Sequence, residues 1–196
     1  AILSLYLVFM QEVCEIAAQK LQMFNSDIGE HNAKFLLFVE RHDFITPAQL
    51  ARMRGITERG ARYYLQRLVD AGYLDKIRIK AERRHSYPHQ YFITRKAKKL
   101  ICDLYDDIEE RSVRVRKNDL ERGLDERMLK HYNGINDFFS RVIAQSRKLG
   151  YPGIELWANQ RECVLTLPQS GKEIRPDGYG ILLTDKKHVH FMLEYD

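Results

Sequence analysis

Residues 46 to 74 read TPAQLARMRGITERGARYYLQRLVDAGYL, and the punctuation in that stretch leaves the backbone little freedom. Thr46 stands as an N-cap, Pro47 at the first helical position and Gln49 at the capping-box position, so a short helix begins there and Gly55 stops it. Thr57 caps the next helix. On it Ala61, Leu65, Leu68 and Val69 form an inward stripe, and Gly72 supplies a left-handed C-terminal cap with Leu74 behind it. Upstream, residues 30 to 44 place Ala33, Leu36, Leu37 and Glu40 at helical spacing, and Phe35, Phe38 and Val39 widen the stripe enough for a buried helix. Three helices in this order, with a tight second turn, make a helix-turn-helix core.

The next residues set the subtype. YLDKIRIK alternates Leu74, Ile77 and Ile79 with charges, AERRHSYPH is a polar loop broken at Pro88, and QYFIT returns as a strand before Thr94 caps another helix. That is a wing. The arrangement, with the phrase LQRLVDAGYLDK, resembles the winged-helix family of DNA-binding domains from about Glu30 to Asp107. On the third helix Arg59, Arg62, Tyr63 and Gln66 lie outside the apolar stripe and would face a major groove, where arginine pairs with guanine and glutamine with adenine. Thr57 and Arg67 complete the expected contacts of that helix. Arg78, Lys80, Arg83, Arg84 and His85 on the wing would sit near phosphates or a minor groove. The bland alternatives are a solvated surface helix with Tyr63 packed on the wing, and a wing that touches protein.

The charge distribution favours the first reading. Residues 1 to 51 hold three Lys/Arg against six Asp/Glu, residues 52 to 99 hold fourteen against four, and residues 100 to 196 hold fifteen against seventeen. A surplus that local points to a polyanion, because neutralising phosphates releases counterions. At 196 residues and 44% hydrophobic composition the chain can bury one or two cores,. Cys14, Cys102 and Cys163 lie far apart without a CxxC pair, which suits a reducing, cytoplasmic compartment. The run AILSLYLVFM is too short to span a bilayer and lacks the basic region of a signal peptide.

We expect an α+β chain in four parts: an N-terminal helix (1–29), a winged-helix domain (30–109), a charged linker (110–124) and a helix-plus-sheet domain (125–196). The N-terminal helix carries two adjoining apolar stripes, led by Leu3, Leu7, Met10 and Cys14 beside Ile2, Phe9 and Val13. It either pairs two copies in a homodimer or caps its own winged helix. In the last part, DERMLKHYNGINDFFSRVIAQSRKLG is an amphipathic helix stopped by Gly150. Strands follow in IELWANQ, from CVLTL to IRPDGYGILL, and in HVHFMLEYD. GYG at 178–180 reads as a bend or thin point, not a phosphate loop.

The ending HVHFMLEYD is apolar above and acidic below. With a turn on TDKK, Leu183 lies opposite His188, and the same antiparallel register sets Asp177 opposite Glu194. Opposed carboxylates repel unless a proton or cation intervenes. Asp177 and Glu194 are therefore candidate ligands for Mg²⁺ or Mn²⁺, helped by the carbonyl of Tyr195; the alternative is a solvated edge. His188 and His190 share a strand face, but without a third ligand they are weak metal candidates.

A helix followed by strands carrying RPD and then EYD resembles the restriction-endonuclease-like fold, whose pattern is PD, a spacer, then D/E-x-K. Pro176, Asp177 and Glu194 match; the lysine position holds Asp196. The resemblance implies catalytic roles for Asp177, Glu194 and Asp196, with the missing lysine putting hydrolysis in doubt. The wider layout, with KHYNGINDFFSRVI, an ELW strand, RPDGYGILL and FMLEYD, resembles the replication-relaxation family of plasmid and mobile-element proteins. His131 is a matched position in it. Members run on past the ExD, so a longer natural chain is expected.

The expected function is double-stranded DNA binding in plasmid or mobile-element replication, relaxation, transfer or its own transcriptional control, with other plasmid replication or transfer proteins as further partners. The rival is a metal-dependent nuclease or nickase using Asp177 and Glu194. A MarR-like or PadR-like repressor is a third possibility.

Overall fold

The capping residues hold the backbone where the sequence places them. The computed structural model describes residues 30–78, 88–105, 126–166 and 171–195, in a mixed α+β arrangement. Helix α1 spans Glu30–Arg41, and the chain leaves it through Asp43 at φ 65°, a left-handed conformation that aspartate tolerates,. Helix α2 spans Pro47–Arg54. The Thr46 hydroxyl accepts from the Gln49 amide at 3.3 Å while the Gln49 side chain accepts from the Thr46 amide at 2.9 Å, and Gly55 closes the helix at φ 68°,. Helix α3 spans Glu58–Asp70, capped by Thr57, whose hydroxyl accepts from the Gly60 amide at 3.1 Å.

Strands β1 (Leu74–Ile77) and β2 (Gln90–Ile93) pair antiparallel, Leu74 opposite Ile93 and Ile77 opposite Gln90. Helix α4 (Arg95–Leu104) follows, capped by Thr94. Leu36 and Val39 of α1, Leu50 of α2, Leu65 and Leu68 of α3, Leu74, Ile93, and Ile101 and Leu104 of α4 close one core. Of the residues expected to act in this half, Lys80, Arg83, Arg84 and His85 lie outside the described residues. So do the N-terminal helix and the linker around 110–124.

Helix α5 (Glu126–Lys148) opens the second half. Its three-stranded sheet has the order β3 (Gly153–Asn159), β6 (Gly178–Leu183), β7 (His188–Leu193), all antiparallel, and β4 (Leu165–Thr166) pairs separately with β5 (Glu173–Ile174). The stretch IRPDGYGILL, read from the sequence as one strand, is two. Proline has no amide to give a ladder, and at Pro176 and Asp177 the chain bends between β5 and β6,. The β6–β7 register is as expected, with Leu183 opposite His188 and the Thr184 amide bonded to the Lys187 carbonyl across the turn. The thin points are real. A Cβ on Gly180 would lie 2.3 Å from Phe191, and one on Gly178 would lie 2.9 Å from Phe139.

The two halves are packed together. Helix α5 lies against α2, where Gln49 donates to the Asn133 carbonyl at 3.2 Å, Arg52 donates to the Ser140 hydroxyl at 3.1 Å, and Arg52 pairs with Asp137. Arg147 donates to the carbonyls of Arg52 and Met53, satisfying the end of α2 and complementing its dipole,. The turn after α1 is clamped from the other side. Asn136 donates to the carbonyls of His42 (3.0 Å) and Phe44 (2.7 Å), Asn159 donates to that of Arg41, and Arg161 donates to those of Glu40 and Arg41 at 3.0 Å each. A second small core of Phe44, Phe92 and Leu129 seals the same seam. Among the described residues no helix is long and apolar enough to cross a membrane.

Candidate functional site

Helix α3 has a sharply divided surface. Ala61, Leu65 and Leu68 are buried in the core, while Arg59, Arg62, Tyr63 and Arg67 are exposed, Tyr63 to 69%. Apolar residues three and four apart share one side of a helix, so the polar ones are forced together on the other. Arg62 pairs with Glu58 one turn away; both are solvent-exposed, so the pair is weak and exchangeable,. Gln66 is more constrained than its sequence position indicates. Its amide nitrogen donates to Asp70 at 2.7 Å and its oxygen accepts from Lys76 at 2.7 Å. Thr57 spends its hydroxyl on the cap.

Beside α3 runs a cleft of about 440 Å³ lined by Glu58 and Arg62 on one wall and Arg78, His89 and Tyr91 on the other. The hairpin thus brings Arg78 towards the third helix. His89 is held below its usual pKa by burial and then by the charges of Lys76 and Arg78, which leaves that wall's charge to the arginine.

The second constellation is at the far end of β6. Asp177, 8% exposed, receives the Tyr195 amide on one carboxylate oxygen at 2.9 Å, and its other oxygen lies 3.1 Å from Nε2 of His131 on α5. The bend that leads into β6 turns this carboxylate onto the helix. The Tyr195 ring sits over Gly134, where an added Cβ would fall 2.0 Å from it, and meets His131 edge-on at 5.9 Å. His131, Tyr132, Gln160 and Asp177 line two cavities at once. The inner one, about 110 Å³, reaches His42, Asp43 and Arg161; the outer one, about 710 Å³, is completed by Arg127, Met128, Lys130 and Tyr195.

Glu194 lines neither cavity and is exposed. Asp196 lies outside the described residues. Both oxygens of Asp177 already have partners within this chain, and no group of three His, Cys, Asp or Glu able to hold a metal occurs among the described residues. The described side chains therefore do not fit the Mg²⁺ or Mn²⁺ site that the carboxylate spacing suggests. Nor do the strand histidines converge. His188 lies 3.4 Å from Glu155, and His190 shares a 2.5 Å contact with the Tyr179 hydroxyl.

Sequence reasoning singled out His131 and Asp177 separately but not as partners. Forty-six residues separate them, and only the packing of α5 on the sheet joins them. His42 was missed entirely. It is buried at the seam, and burial, then the charges of Arg41 and Arg161, lower its pKa from 6.5 to about 3.

Compared with known proteins, the chain matches a family model described as replication-relaxation over residues 36–196. No curated protein matches it.

Proposed function

The chain belongs to the replication-relaxation family, and from that premise, which suggests a role in plasmid or mobile-element replication or relaxation, we propose that it acts by binding double-stranded DNA. The reading takes α1 to α3 and the β1–β2 hairpin as a winged helix-turn-helix, with α3 in a major groove. One observation carries it. The outward face of α3 presents Arg59, Arg62, Tyr63 and Arg67 to solvent, while helix α5 packs on the other side, against α2 and the turn after α1.

In this reading Arg59 and Arg62 contact guanine edges or phosphates, Tyr63 stacks or packs against sugar, and Arg78 holds a flanking phosphate. Thr57 positions the N-terminus of α3, whose free amides also favour a phosphate. Gln66 exchanges its partners Asp70 and Lys76 for a base only if that base repays both bonds. Lys80, Arg83, Arg84 and His85 add backbone contacts from the wing. Residues 1–29 pair two copies so that two reading helices meet two half-sites, and the protein works in the cytoplasm with other plasmid replication or transfer proteins or on its own promoter.

The test is a gel shift across a salt series with duplex DNA. Wild-type binding should weaken steeply with salt, and the double variant Arg59→Ala/Arg62→Ala should lose affinity roughly tenfold or more. Unchanged affinity in the variant would remove α3 as the reading helix. Nicking of supercoiled DNA by the wild type with Mn²⁺, absent in Asp177→Ala, would displace this reading in favour of a nuclease.

A further inference from the structure

We infer that the outer cavity beside His131 and Asp177 is a binding site for one nucleotide of single-stranded DNA, its base against Tyr195 and its phosphate at Arg127 and Lys130. The inference rests on the DNA-binding reading above for the kind of polymer, but on different residues. Three features carry it.

The first is shape. The cavity, about 710 Å³, falls within the range that takes a small organic ligand, and it is far too confined for a duplex,. A base can enter such a space only when it is out of the stack.

The second is the arrangement of chemistry along α5. Arg127, Lys130, His131 and Gly134 are spaced three and four apart and so share one face of the helix,. Arg127 and Lys130 are exposed at the rim, where a phosphate would remain hydrated while being neutralised,. At Gly134 the stripe drops to bare backbone, and the Tyr195 ring lies in that gap, 40% exposed. A half-exposed aromatic ring beside exposed cations is the combination that holds single strands, through stacking on the ring and attraction of the backbone,.

The third is the geometry around the acid. Asp177 is buried and turned away from the rim cations, its two oxygens bonded to His131 Nε2 and the Tyr195 amide. The same two bonds fix the ring positions of the cavity wall. Gln160, exposed on the opposite rim, offers a donor and an acceptor to whichever base edge arrives,.

The experiment measures fluorescence anisotropy of a labelled oligothymidylate, and separately of a labelled duplex, with the full chain and its variants. Tyr195→Ala and Gly134→Ala should each weaken oligothymidylate binding by about tenfold while changing duplex binding less than about twofold. Gly134→Ala leaves α5 helical and acts only by evicting the ring, so it stands in if Tyr195→Ala misfolds. Arg59→Ala/Arg62→Ala should do the converse. Thymidine monophosphate should compete with the oligomer in the wild type, since it carries the one base and the one phosphate that the site holds. Absence of oligothymidylate binding, loss of it in the α3 variant to the same degree, or failure of the monophosphate to compete would each overturn the inference. Failure of duplex binding with oligothymidylate binding intact would instead remove the reading helix and leave this site standing.

Discussion

The indole of Trp157 lies parallel to the ring of Phe139, centroids 4.3 Å apart and planes 10° apart, and the same indole meets the imidazole of His42 at 3.9 Å. Three segments distant in sequence, the turn after α1, helix α5 and strand β3, are thereby stacked into one column. The orientation of α3 relative to the cavity at Asp177 is set by this column and by the backbone clamps around it.

Trp157→Ala should cost about 3 kcal/mol of stability, because the stack loses its central plate and the space cannot close without moving β3. Urea unfolding followed by circular dichroism measures it. The wild type has one tryptophan, so its fluorescence change on unfolding reports this junction directly.

Asn136→Ala should cost about 2 kcal/mol. The side chain is 5% exposed and satisfies two carbonyls, those of His42 and Phe44, that have little water to turn to once it is gone,. Thermal unfolding of the variant beside Ser140→Ala, which removes an acceptor from Arg52 at a wetter contact, should show the larger loss in Asn136→Ala.

Acid should weaken the fold through His42. The unfolded imidazole takes a proton near pH 6.5, whereas the folded one stays neutral until about pH 3. Between those values the unfolded state binds more protons, so this group removes stability as pH falls and contributes no slope above the window. The slope should reach about 1.4 kcal/mol for each pH unit. Urea midpoints across that range, compared with His42→Phe, measure it; the variant should show the shallower dependence.

The α3 arginines should set the salt dependence of duplex binding. If Arg59 and Arg62 each neutralise a phosphate, the double variant should flatten the plot of log affinity against log salt by about two. Gln66→Ala should leave that slope unaltered, since glutamine carries no charge and its side chain is already bonded to Asp70 and Lys76. Filter binding at several salt concentrations distinguishes the two.

Local signals determined a large part of this molecule. Thr46, Gln49, Gly55, Thr57, Gly72 and Thr94 act through their own turns, and capping bonds span only three residues, so helices α1 to α4 and their order are legible without tertiary contacts. The apolar stripe of α3 fixes its outward residues by the same short-range logic, and the β6–β7 register follows from one tight turn. What the chain alone does not determine is how the halves meet. Asn136, Asn159 and Arg161 are ordinary polar residues in sequence, and they become clamps because the carbonyls after α1 are brought beneath them. Asp177 shows the same limit. Its expected place opposite Glu194 follows from extending the register by one pair, but its partners, His131 and the Tyr195 amide, are chosen by the bend at Pro176 and by the packing of α5 on the sheet. Hydrogen-bond partners across tens of residues are selected by where whole elements settle, and that selection is a property of the packed structure.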